Sequence, residues 1–166
     1  MSEAQFERHP SVKENMRTYP GKLGHSTPGW VHSGAVFHIR IRAERSTPAP
    51  LTHPDLSARL LESARSYHED TKWFVHLFLI MPDHIHALLS FPLEPGMSRT
   101  IGAWKRFHQR QNGVQWQDNY FDHRIRGQSE LDEKSAYIRR NPVAKELCAT
   151  EDDWTLVLDH RSFAET

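Results

Sequence analysis

"LFLIMPDHIHALLSF", residues 77–91, is an apolar run interrupted by Pro82 and Asp83 and then by two histidines one residue apart. Leucine or valine would pack better than imidazole at positions 84 and 86, so the histidines need a reason. Pro followed by Asp is a turn signal. The residues before it, Trp73–Met81, are aromatic and branched, and those after it, His84–Phe91, are mostly apolar. Both read as buried strands, so the stretch is a β-hairpin with the histidines just past its turn. Side chains alternate along a strand, so His84 and His86 point the same way, about 7 Å apart. Such a pair is either structural, hydrogen-bonded within the fold, or two ligands of a metal site. Two ligands rarely suffice, and no C-x-x-C or H-E-x-x-H supplies the rest. A third ligand must come from elsewhere. A carboxamide oxygen there would favour a harder ion, Mg²⁺ or Mn²⁺, over zinc.

Outward from the hairpin the chain reads as one domain of ordinary size, 166 residues long. Its 21 basic and 21 acidic side chains cancel, so no global field advertises a nucleic-acid or membrane partner. The single cysteine, Cys148, rules out an intrachain disulfide and suits a reducing compartment. The N-terminus is polar, without the apolar run of a signal peptide, and no stretch approaches the roughly 20 apolar residues of a membrane span. A soluble, cytoplasmic protein is expected. Twelve histidines is a high number, but several lie in polar segments such as "FERHP" and "LGHST", so abundance alone marks nothing.

Residues 1–30 mix Pro, Gly and charge without period and read as an irregular arm; residues 31–166 form the domain. From Val31 to Ala43 the pattern alternates, with Val36, His38, Arg40 and Arg42 on one side and Phe37, Ile39 and Ile41 on the other, a half-buried strand. Thr52 or His53 is placed to cap a helix from about Pro54 to Tyr67, with Leu56, Leu60, Leu61 and Ala64 at helical spacing. A second helix is expected over Ser98–Gln111. A third opens at the capping-box pattern Ser129–Asp132 and ends near Asn141, because Pro142 disfavours α geometry at the residue before it. Tyr137 and Asn141, four apart, share one face of that helix. The acidic tail after it is anchored by Trp154.

Between Arg99 and Arg126 six lysines and arginines face two aspartates, a net charge of +4, with Trp104, Phe107, Trp116, Tyr120 and Phe121 interleaved. Basic groups with aromatics suit a nucleic-acid backbone and stacked bases. The competing reading is an amphipathic helix with a solvated basic face.

Taken together, "MPDHIHALLSF", "WKRFHQRQ", "WQDNYFDHRIR" and "YIRRNPVAKEL…EDDW" resemble the single-tyrosine HUH transposases of the IS200 type, and within them the REP-associated tyrosine transposases. The resemblance covers about residues 31–158. It implies an α+β fold, a ferredoxin-like sandwich with helices packed on a central antiparallel sheet. It also implies that His84 and His86 are metal ligands, that Asn141 completes the site and that Tyr137 is the nucleophile. The implied cofactor is a divalent metal, Mg²⁺ or Mn²⁺. The implied partner is single-stranded or hairpin DNA, cleaved and rejoined through a 5′-phosphotyrosine by a monomer or homodimer. Tyr120 competes with Tyr137 as nucleophile but sits among basic residues, where stacking or packing fits better. Lys105, Arg106, Arg110, Arg124 and Arg126 are candidate phosphate contacts, and His123 either orients DNA or bonds within the fold. Two features depart from the family's pattern: the neutral total charge and the N-terminal arm, so DNA affinity and site choice do not carry over. The rival readings are a non-catalytic hairpin-binding relative and a small metallohydrolase, and the latter lacks further ligands at motif spacing.

Overall fold

The computed structural model describes residues 34–164; the expected arm at 1–30 lies outside them. Five strands and three α-helices follow in the order β1 (Phe37–Arg42), α1 (Pro54–Glu69), β2 (Phe74–Ile80), β3 (His84–Ser90), α2 (Met97–Asn112), β4 (Phe121–Arg124), α3 (Gln128–Ala144) and β5 (Val157–Asp159). The strands form one sheet in the order β4-β1-β3-β2-β5, each neighbouring pair antiparallel. Without β5 this is the βαββαβ arrangement of a ferredoxin-like fold, in agreement with the expectation.

The two faces of the sheet bury different things. Ile39 and Ile41 of β1, Phe78 and Ile80 of β2, and Ile85, Ala87 and Leu89 of β3 pack against Leu56, Leu60 and Ala64 of α1 and Ile101 and Trp104 of α2. On the other face Leu77, Leu79, Met81 and Leu88 meet Leu131 and Ile138 of α3. Between Val75 and Leu77 the β2–β3 register shifts, and the extra residue, His76, hydrogen-bonds Ser90.

Local chemistry sets the ends of the helices. His53 caps α1, its ring accepting from the Asp55 N–H, with Pro54 in the first turn. Gly113, at φ 69°, ends α2 in the left-handed conformation that glycine adopts freely. The third helix differs from expectation at both ends. It starts at Gln128, so Ser129 is not its cap. Glu130 instead turns back to accept from the Arg126 N–H and to pair with His123. It also runs past Pro142 to Ala144, because the missing proline N–H does not stop later residues from bonding: Lys145 N–H reaches the Asn141 carbonyl and Leu147 N–H that of Pro142.

α1 and α2 are joined by a buried polar line. Arg59 donates to the Asn112 side-chain oxygen (3.0 Å), which turns the amide nitrogen toward His108 Nδ1 (2.8 Å). His108 therefore carries its proton on Nε2 and donates to Ser63 Oγ (2.7 Å), which also receives Trp104 Nε1–H and gives its own proton to the Leu60 carbonyl. Ser, His and Asn in a row outline a hydrolase triad, yet the bonds run the wrong way. The imidazole offers the serine a proton, where a general base would offer a lone pair. The line is structural, and burial pushes the pKa of His108 down to about 4.

The C-terminal tail fastens α3 to the sheet. Trp154 packs on the second core and donates its indole N–H to the Ile80 carbonyl. Asp159 on β5, almost fully buried, accepts from Arg139 of α3 (2.8 Å) and from Arg161 (2.9 Å). Burial alone would raise its pKa, but the bonds from Arg161 and Arg139 outweigh it and hold the carboxyl at about 2. A depressed carboxyl stabilises the fold above its unfolded pKa near 4, and that contribution is lost as pH falls through its folded value. Asp159→Asn is therefore expected to cost about 1–2 kcal/mol at neutral pH, after allowance for the exposed Arg161 partner. Urea unfolding of both proteins across the acid range should show the gap closing between about pH 4 and pH 2.

Candidate active site

The alternation of β3 decides where its histidines go. Ile85, Ala87 and Leu89 enter the α1/α2 core, so His84, His86 and Leu88 must face α3. β1 pairs with β3 so that Arg40 lies opposite His86 and Arg42 opposite His84, and His38 stands one step further along the same face. Both β3 histidines are buried, their rings edge to face at 4.8 Å. His84 Nδ1 meets Asp83 Oδ1 at 2.6 Å, and Asp83 also lies 3.7 Å from Arg42. His86 Nδ1 meets His38 Nε2 at 3.0 Å, the two rings stacked with centroids 5.2 Å apart.

Burial, helped by His84, His38 and the two arginines, pushes the pKa of His86 down to about 3. Burial and the charges of Lys134, Arg40 and His123 bring His38 to about 4. Burial also lowers His84, against the opposing pull of Asp83. These imidazoles are therefore neutral near pH 7, the state in which a ring nitrogen binds a metal.

α3 brings the other two residues. Ile138 is buried in the second core, and one helical turn separates Tyr137 from Asn141 on the side toward β3. Asn141 is buried and sets its Nδ2 3.0 Å from His86 Nε2. Tyr137 remains 56% exposed, open to a large substrate, with its ring 5.9 Å from that of His86. The Asn141 Oδ1 is buried with no hydrogen-bond partner among the described residues. An orphaned acceptor of this kind costs about 1–3 kcal/mol, which a nearby cation would relieve. Two neutral imidazoles and one unpartnered carboxamide oxygen fit a divalent ion with positions left for water or substrate. Among the described residues no three His, Cys, Asp or Glu side chains are grouped to hold a metal, so an ion here depends on the carboxamide.

The four side chains singled out for chemistry thus converge, and those singled out for DNA divide. His123 is on the α3 face, beside His38 in the β1–β4 register, and is paired with Glu130. Arg124, its neighbour on β4, projects to the opposite face and is exposed, as is Arg126 after it. Lys105, Arg106 and Arg110 ride on α2, beyond the first core, away from His86. Lys105 is engaged by the Gln117 and Asp118 carbonyls and Tyr120 by Ser98, around a cleft of about 390 Å³ that Arg106 also lines. Five residues given no site role in the sequence stand at the site or on its rim: His38, Arg40, Arg42, Asp83 and Phe121. Phe121 is 44% exposed, with the Arg40 guanidinium 5.1 Å over its ring and its edge toward His38. The signal for three of them was the alternation of β1, which groups His38, Arg40 and Arg42; which face they share with His86 needs the long-range register.

A ferredoxin-like sheet with paired histidines on a central strand, opposed by a helix bearing tyrosine and asparagine, is the class of architecture that results. The chain belongs to the IS200-like transposase family: the model of that family, "Transposase IS200 like", matches residues 34–141, well over half of the sequence. Among solved structures it is similar to a REP-associated tyrosine transposase bound to a REP hairpin, at 19% identity over 86% of this chain and 87% of that one, with a TM-score of 0.66. It is more distantly similar to a putative transposase from Deinococcus radiodurans r1, at 15% identity over 68% of this chain and 95% of that one, TM-score 0.38. No protein of curated function matches significantly.

The orphaned oxygen separates a functional from a structural Asn141. If the amide is kept for a ligand, Asn141→Leu, similar in volume and without the buried acceptor, should unfold within about 1 kcal/mol of the native chain. Loss of more than about 2 kcal/mol in denaturant melts would make the amide a structural bond.

Proposed function

We propose that the protein is a metal-dependent transposase that cleaves and rejoins single-stranded DNA at or near a hairpin through a 5′-phosphotyrosine. The observation that carries this reading is the meeting of His86 with Asn141 at 3.0 Å beside the exposed Tyr137 ring. Membership of the IS200-like family supports it. The REP hairpin held by the similar transposase is the model for the substrate.

In this reading His84, His86 and Asn141 hold Mg²⁺ or Mn²⁺. When bound, the ion would polarise the scissile phosphate and neutralise the charge that develops on it. Tyr137 Oη attacks phosphorus; an O–P bond forms, the P–O3′ bond breaks, the phenolic proton leaves to solvent and the 3′ oxygen takes one up. The bond energy is kept in the phosphotyrosine, so a 3′-hydroxyl can later reverse the step without a nucleotide triphosphate. Arg40 and Arg42, aligned with His86 and His84, receive the phosphates flanking the cut, and Phe121 offers a face to an unpaired base. Arg106, Arg110, Arg124 and Arg126 are assigned to the paired stem, His123 to the strand leaving the site. Lys105 and Tyr120, already bonded within the fold, hold the loop after α2. Because α3 packs on its own sheet, a monomer carries a full set, and a homodimer is not required.

The reaction is tested with labelled hairpin DNA bearing a single-stranded flank, incubated with Mn²⁺ or Mg²⁺ and run on a denaturing gel. A covalent adduct is expected from the native chain and from Tyr120→Phe, and none from Tyr137→Phe, from His86→Ala or in chelator. An adduct that survives Tyr137→Phe would assign the wrong tyrosine, and binding without any adduct would leave a hairpin-binding protein. The two basic sets are separated by binding assays. Arg40→Ala with Arg42→Ala should weaken binding of unpaired flanking DNA about tenfold at low salt and flatten its salt dependence. Arg106→Ala with Arg110→Ala should weaken only binding of the stem.

A further inference from the structure

His38 is buried, lies on no sequence motif of the site, and spends its one hydrogen bond on His86. Ring nitrogens 3.0 Å apart share one proton, so one ring donates and the other accepts. If His38 donated, the proton of His86 would sit on Nε2, directed at the Asn141 Nδ2, donor against donor, with the metal-binding lone pair covered. If His86 donates from Nδ1, its Nε2 keeps a lone pair that accepts from Asn141, and every contact is satisfied. His38 Nδ1 lacks a partner in both arrangements and so does not choose between them. His84 is treated in the same way: the carboxylate of Asp83, which can only accept, holds its proton on Nδ1 and leaves Nε2 free.

We propose that His38 is a positioning residue whose Nε2 accepts the Nδ1–H of His86, fixing that ring's tautomer and orientation so that Nε2 is presented, with Asn141, to a divalent cation. The role rests on the reading of His86 as a metal ligand. The partner of a metal-binding histidine is usually a carboxylate, a carbonyl or water; here a second imidazole, stacked on the first, does the work for the more deeply buried member of the pair. Stacking limits the tilt of the His86 ring and the hydrogen bond limits its rotation. Packing alone predicts a different pattern, since an apolar ring at position 38 would fill the same space.

The test combines two measurements on the full chain. Nitrogen-15 NMR of histidine-labelled, metal-free protein should find His86 protonated on Nδ1, an observation that needs no variant to fold. Mn²⁺ titration followed by EPR should then give binding weakened about 10- to 100-fold in His38→Phe. His38→Gln, whose side-chain oxygen can still accept, should remain within about threefold of the native chain, by the same reasoning. A native His86 protonated on Nε2, or native Mn²⁺ affinity in His38→Phe, would overturn the proposal. His86→Ala is the control. If it too binds Mn²⁺ as tightly as the native chain, the metal reading of the site has failed; if it loses the ion while His38→Phe does not, only the role of His38 has.

Discussion

The two-sidedness of β3 is the constraint on which the rest of the molecule depends. Three of its side chains, Ile85, Ala87 and Leu89, are committed to the larger core, and their burial leaves His84 and His86 no other direction. A slip of one residue would bury both imidazoles among leucines and tryptophan and turn three apolar groups toward α3. The core thus holds the register, and the register holds the site. The same logic extends to β1, where Ile39 and Ile41 fix the side on which His38, Arg40 and Arg42 emerge.

Much of this was legible in the sequence because its signals are local. The hairpin, the alternation of β1, the cap at His53 and the i, i+4 relation of Tyr137 to Asn141 each lie within a few residues. The ferredoxin-like arrangement followed from the family resemblance. What was not legible is of two kinds. β4 and β5 are short edge strands, and Phe121–Arg124 carries almost no burial pattern, so no period announces them. The ends of α3 were misjudged because its cap comes from Glu130 reaching backwards and because Pro142 lies in the final turn, where few bonds are lost. The role of β1 needed a pairing between residues 48 apart in sequence, which no local pattern contains.

Two buried histidines show how the same side chain is put to opposite uses. His108 has both ring nitrogens committed to partners whose own bonds are complete, so nothing remains to offer a ligand. His86 also has both nitrogens engaged, but one of its partners, Asn141, brings an acceptor that nothing answers. The difference is in the completeness of the network, which burial alone would not reveal. Natural cores that satisfy every polar atom but one or two repay attention to the exceptions.

The tail that fastens α3 also imposes an order on assembly. Everything that aligns His84 and His86 is present once β1 and β3 have emerged and paired. The helix bearing Tyr137 is secured later, when Trp154 and Asp159 reach Ile80 and Arg139. A chain growing on the ribosome therefore has its imidazoles aligned before its tyrosine is fastened. Reactivity toward DNA arrives with the last residues made.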